Sequence, residues 1–269
     1  MRYLVSLFFL FIAFTTLDSC KPMPNEGIPF YLKIDSVSVE GNQSHQITDV
    51  WVEAGAENLG AYELPGNFPV LQEGKVSFTV NAGIKESGQS NLRVNYPFYL
   101  SDTFTLSATR GEKYSHKPVF KYRNGTVFAT QENFEAGSSF NTNMALAGDS
   151  NVRYGSRCGV ITATTDSSKE AVQLANYDLP GGQEIWLEVD YKCEVPFYIG
   201  FYGFIAGTAI RAPVLFLTAT PAWNKVYVKL SSMIAQADAD SYSIYFEALR
   251  PYGSSGGSVY IDNVKVVHF

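Results

Sequence analysis

Glu184, Glu188 and Asp190 share one side of the segment EIWLEVDYKC, with Trp186 between them. Two carboxylates placed across a glycosidic bond can act as acid and as nucleophile or base. The plainer reading of these three is a solvated strand face, because charged residues alternate with apolar ones along a half-buried strand. Other chemistry-bearing residues are sparse. His45, His116 and His268 are scattered, and there is no G-x-S-x-G elbow, HExxH zinc helix or phosphate-binding loop. The chain is read as non-enzymatic.

The elements that carry these residues are strands. In EIWLEVDYKC, Ile185, Leu187, Val189, Tyr191 and Cys193 form one face, and Glu184, Trp186, Glu188, Asp190 and Lys192 the other. The same alternation recurs in VPFYIGFYGF, PVLFLTAT, WNKVYVKL, SYSIYFEAL and SVYIDNVKVV. If Phe197, Ile199 and Phe201 are core, Tyr198 and Tyr202 point outward. Tyr227 lies outward between Lys225 and Lys229, and Tyr245 and Glu247 follow by the same rule. Sugars stack their C–H faces on flat rings and bond carboxylates and amides through their hydroxyls. Trp186, Glu188, Tyr198, Tyr202 and Tyr227 are therefore candidate glycan-binding residues. Cross-strand ring pairing, or cover by another domain, would explain the same pattern.

Earlier in the chain, FYLKIDSVSV, ITDVWVEA, KVSFTVNA and YPFYLSDTFTLSA are short strand-like runs separated by turn signals, as in a small antiparallel sandwich. Asn124-Gly125 is a strong turn pair and sets the boundary between a domain over 28–125 and a second over 126–269. The apolar stretch 197–217 is interrupted by glycines, Arg211 and Pro213. It reads as two core strands joined by a turn, and it does not span a membrane.

Three motifs of the second half resemble β-jelly-roll carbohydrate-binding modules. They are Asn133-Phe134-Glu135 at its start, Trp223 to Val228 in its middle, and Val259 to Val266 (VYIDNVKV) at its end. The resemblance implies a two-sheet sandwich of about eight strands, glycan binding, and a structural calcium held by Glu135 and Asp262. The first half resembles loosely the immunoglobulin-like or transthyretin-like modules of envelope lipoproteins. The strand at 184–190 resembles incompletely that of jelly-roll glycoside hydrolases, because Trp186 stands where their aspartate would and the spacing is longer.

Arg2 followed by the apolar run Tyr3–Leu17 has the layout of a secretory signal, over 1–19. Leu17-Asp18-Ser19-Cys20 resembles the lipobox of bacterial lipoproteins, which implies acylation of Cys20 and a membrane anchor. Asp18 departs from the usual small or apolar residue. Lys21 replaces the acidic residue of inner-membrane retention, so an outer-membrane lipoprotein is expected. Residues 20–27 form a proline-bearing tether. An oxidising envelope permits Cys158 and Cys193 to pair in a disulfide; small buried thiols are the alternative. The net charge of -6 argues against nucleic acid. The expected partners are a membrane, a polysaccharide, or the proteins of an envelope complex in which the chain is a structural or adaptor subunit.

Overall fold

The computed structural model describes residues 27–148, 151–250, 253 and 255–269. The signal segment and Cys20 lie outside the described residues. What is described is almost wholly strand. The first half contains β1 (Phe30–Ile34), β2 (Ser38–Val39), β3 (Asp49–Ala54), β4 (Glu57–Glu63) and β5 (Gly66–Val70). It continues with β6 (Gly74–Lys85), β7 (Arg93–Asn95), β8 (Asp102–Ala108), β9 (Lys113–Ser115) and β10 (Val119–Phe120). The second half contains β11 (Val127–Glu132), β12 (Ala145–Ala147), β13 (Cys158–Ala163), β14 (Lys169–Val172) and β15 (Ile185–Cys193). After these come β16 (Phe197–Ile205), β17 (Thr208–Leu217), β18 (Thr220–Lys229), β19 (Ser241–Ala248) and β20 (Gly257–His268). A short helix, α1 (Ser231–Ala237), links β18 to β19.

No named sheet mixes strands from the two halves. β5, β1 and β9 form one sheet of the first half. β4, β3 and β6 form another, which β7 and β8 extend along β6. In the second half, β12-β13-β20-β15-β18 faces the four-stranded sheet β14-β19-β16-β17, and β11 pairs with β20. The fold is all-β: a small sandwich followed by a jelly-roll sandwich.

Between the second pair of sheets lies a core that includes Ile161, Leu187, Val189, Phe197, Phe201, Phe246 and Ile261. Each comes from the apolar phase of an alternating strand, as the period of two requires. The segment 197–217 is the hairpin β16–β17. Its two-residue turn, Ala206-Gly207, has both residues left-handed, which matches the twist of the flanking strands.

β15 departs from the expected half-buried strand. Its odd residues enter the jelly-roll core, but Trp186, Glu188 and Asp190 on the opposite face are also buried. Trp186, Tyr227 and Val267 belong instead to the core of the first half, beside Phe78, Tyr96 and Phe98. The expected solvated face is therefore an interface. Alternation identifies the side of the sheet on which a residue lies; it does not identify what packs there.

The two cysteines do not pair. Both are buried and free. Cys193 lies in the core between the sheets with Ile161 and Val259. On β13 the inward residues are Ile161 and Ala163, so Cys158 faces the other side, where its thiol donates to the Asn151 carbonyl at 3.4 Å. Two thiols on opposite sides of one sheet cannot reach disulfide distance. Burial pushes the Cys158 thiol up to about 11, which leaves it protonated and inert.

Candidate functional site

Three of the five glycan candidates are sealed between the halves. Trp186 is 2% exposed. Its Nε1 donates to Glu184 Oε2 at 2.7 Å, and Tyr96 meets its ring edge-on at 5.6 Å. The Tyr227 hydroxyl accepts from the Gln46 amide at 3.2 Å. Glu188 accepts from the hydroxyls of Tyr96 at 2.6 Å and Tyr122 at 2.7 Å, and Lys225 lies 3.0 Å away with its side chain 0% exposed. Burial alone would push the Glu188 carboxyl up. Lys225, Lys265 and the two hydroxyls outweigh burial and hold it below the usual range. This is a buried ion network joining the halves, in which Glu188 Oε2 and Lys225 Nζ face each other and have no further hydrogen-bond partner.

Tyr198 and Tyr202 lie elsewhere, on the outer face of the four-stranded sheet. Three adjacent register rows of that face build the cluster. Glu170, Glu247, Tyr198 and Phe216 stand in one, Val172, Tyr245, Gly200 and Pro213 in the next, and Ser243, Tyr202 and Arg211 in the third. Gly200 explains how they assemble. A Cβ there would overlap the Tyr245 ring, so the absence of a side chain lets the ring lie down on β16. The Arg211 guanidinium then covers that ring at 4.3 Å. Its Nε donates to Glu170 Oε2 at 2.8 Å and its other arm donates to Glu247. Tyr202 donates to the second Glu170 oxygen at 2.7 Å.

Partial burial would lower Arg211, but the two carboxylates outweigh it, and the group stays a cation. Burial, with the neighbouring carboxylates, pushes Tyr245 up to about 12 against the favourable pull of Arg211. The Tyr245 hydroxyl is buried and has no hydrogen-bond partner. Beside this cluster Phe216 is 47% exposed and tilts against Tyr198 at 5.2 Å between ring centres. The face thus offers open rings next to oriented donors and acceptors, the two components sugar recognition requires. Alternation indicated the outward tyrosines. It did not indicate Arg211, Glu170 or Phe216, although glycine inside an aromatic strand, as at Gly200, is a usable sign of close approach.

Of the two expected calcium ligands, Glu135 is bound up in a loop, while Asp262 Oδ2 is buried without a hydrogen-bond partner. Glu135 accepts from the Ser156 amide at 2.8 Å, the Ser156 hydroxyl at 2.5 Å and the Arg157 amide at 2.9 Å, so both oxygens are committed to that loop. These bonds hold its carboxyl below the ordinary value. Asp262 is buried, and burial pushes it up to about 7. Among the described residues no group of three or more His, Cys, Asp or Glu side chains is arranged to hold a metal.

No protein-family model matches the sequence, and no curated protein matches it. Solved structures do. A xylan-binding domain of carbohydrate-binding module family 22 aligns over 54% of this chain and 97% of its own, at 16% identity and a TM-score of 0.41. A family 30 carbohydrate-binding module from a Clostridium thermocellum cellulosomal cellulase aligns over 52% and 96%, at 17% identity and 0.37. An adhesin domain of Lys-gingipain from Porphyromonas gingivalis aligns over 53% and 99%, at 14% identity and 0.36.

Proposed function

We propose that this chain is a non-catalytic, lipid-anchored protein of the outer membrane that binds a glycan on the outer face of its four-stranded sheet. The observation that carries the reading is the juxtaposition of the open Phe216 and Tyr198 rings with Arg211, which Glu170, Glu247 and the Tyr245 ring hold in place. Rings supply a stacking surface. The guanidinium and the carboxylates supply directional bonds to sugar hydroxyls. Anchoring rests on the residues around Cys20.

A glycan array probed with the purified chain tests the binding. Phe216→Ala and Arg211→Ala should each abolish the wild-type signal while the melting temperature is retained. Binding unaffected by both substitutions would sink this site. Labelled palmitate should enter the wild type and be absent from Cys20→Ala; equal labelling would remove the anchor.

A second reading, a docking face for an envelope protein, is favoured by the exposed Ile205, Ile210 and Phe216 along one hairpin. A partner that co-purifies from detergent, together with no glycan on the array, would select it.

A further inference from the structure

At the rim of the interface between the halves, a cleft of about 350 Å³ opens to solvent. One wall is the turn Gly41–Ser44. The other walls are the end of β11 at Gln131–Asn133, the ring of Tyr154, and Asn263–Lys265 of β20. This site is separate from the Phe216 face, because β20 and β11 belong to the other sheet of the jelly roll.

Two features mark the cleft as more than a gap between packed bodies. Asn42 (φ 54) and Asn263 (φ 48) hold left-handed backbone conformations on facing walls. Such conformations cost about 1 kcal/mol or more for a residue with a Cβ and cluster at ligand clamps. Asn263 owes its conformation to a β-bulge. Glu188 pairs with Lys265 and Asp190 with Asp262, so Asn263 and Val264 together oppose Val189 alone. The bulge puts Asn263 on the cleft wall, where its Nδ2 donates to Asp190 at 2.9 Å.

The second feature is the chemistry of the lining. Its charges are already committed. The Lys265 ammonium donates to Gln43 Oε1 at 2.6 Å and to the Tyr122 hydroxyl at 3.3 Å. The Glu132 oxygens accept the amides of Phe134 and Ser139 at 2.7 Å. The carboxamides of Asn42 and Gln131, Oδ1 of Asn263 and the Tyr154 hydroxyl make no hydrogen bond within the described chain. Tyr154 is 40% exposed.

We infer that this cleft binds an uncharged sugar of about one or two rings, a size suited to the small end of ligand pockets. A carboxamide presents a donor beside an acceptor, which matches a pair of adjacent hydroxyls, and the open Tyr154 ring offers a flat face to C–H groups. The one cation in the lining, Lys265, is committed, and the Arg153 guanidinium, outside the lining, lies over the Tyr154 ring at 5.6 Å and 3.8 Å from Asp190. A peptide would find no apolar pocket for its side chains, because Val264 is the main apolar residue of the walls. A sugar seated here would touch Asn42 from the first half and Gln131 from the second, and so would clamp the halves together.

The test uses the full chain in detergent with glucose, xylose, mannose, N-acetylglucosamine and their β-1,4-linked disaccharides as probes. Binding is read by saturation-transfer NMR and calorimetry. At least one probe should bind and should slow amide exchange at 41–44 and 263–265. Asn42→Gly combined with Gln131→Ala should weaken that binding about tenfold or more, the loss expected for two hydrogen bonds. Asn42→Gly is tolerated by the left-handed backbone, and the exchange footprint on the wild type gives a readout that does not depend on any variant. No binding by the whole panel would overturn the proposal. So would binding that survives the paired substitution, tighter binding of glucuronate than of glucose, or loss on Phe216→Ala, which would move the event to the other sheet.

Discussion

Trp186→Ala separates the interface from the ligand site. The ring is buried beneath the first half, with Tyr96 against it. A tryptophan removes about 200 Å² from water, worth about 5 kcal/mol at ~25 cal/mol per Å². The alanine Cβ retains part of that, and the Nε1 bond to the partly exposed Glu184 adds about 1 kcal/mol at most. The expected cost is therefore ~3–5 kcal/mol, the range measured when large aromatic residues are truncated in cores. With a urea slope of about 2–3 kcal/mol per molar, the unfolding midpoint should fall by about 1–2 M. Glycan binding by the remaining folded protein should be unchanged, because the ring lies on the opposite side of the sandwich from Phe216. A stability loss below about 1 kcal/mol, or loss of glycan binding with stability intact, would refute the assignment of Trp186 to the interface.

Other consequences can be measured directly. Asp262 ionises in the fold at about 7 against an ordinary 3.8, so between those values the native state holds a proton that the unfolded chain has released. Stability must then fall as pH rises through that window, by up to about 4 kcal/mol. Asp262→Asn should flatten the profile, exceed the wild type at pH 8 and approach it near pH 4; superimposable melting profiles would contradict the burial argument. Gly200→Ala should cost about 1–3 kcal/mol and weaken glycan binding together, since its Cβ meets the Tyr245 ring and the Ala212 carbonyl. If calorimetry and thermal melts leave both unchanged, the ring does not depend on that gap.

Strand existence and facing were legible because they depend on a period of two that each segment carries in its own residues. Ile185, Leu187 and Val189 point where alternation places them, and the 197–217 hairpin turns at Ala206-Gly207. What covers an outward face depends on a second surface distant in sequence, and no local pattern encodes it. Trp186, Glu188 and Tyr227 therefore lie on the side of their strands that alternation gives, and of the covers left open there, a sugar or another domain, it is the first half that packs on them. The disulfide failed for a related reason. Cys158 and Cys193 stand on β13 and β15 with β20 between them, on opposite sides of the sheet, and the order and register of those strands are not carried by either segment alone. Arg211 escaped notice because its value lies in reaching diagonally to Glu170, a contact fixed only once strand order is known.

β20 completes two cores at once. Its Val266 lies inside the jelly roll while Val267 closes the first sandwich, and Phe269 just beyond it stacks on Phe98 at 4.6 Å. During synthesis the first half emerges well before these residues, yet it must wait for them. Until β20 arrives, Tyr96, Phe98 and Tyr122 face solvent without their cover. The nascent chain therefore carries a sticky, half-finished surface across the making of more than a hundred residues. A holding chaperone should be needed over that interval, and chains truncated before Gly257 should aggregate instead of surviving as a folded first half.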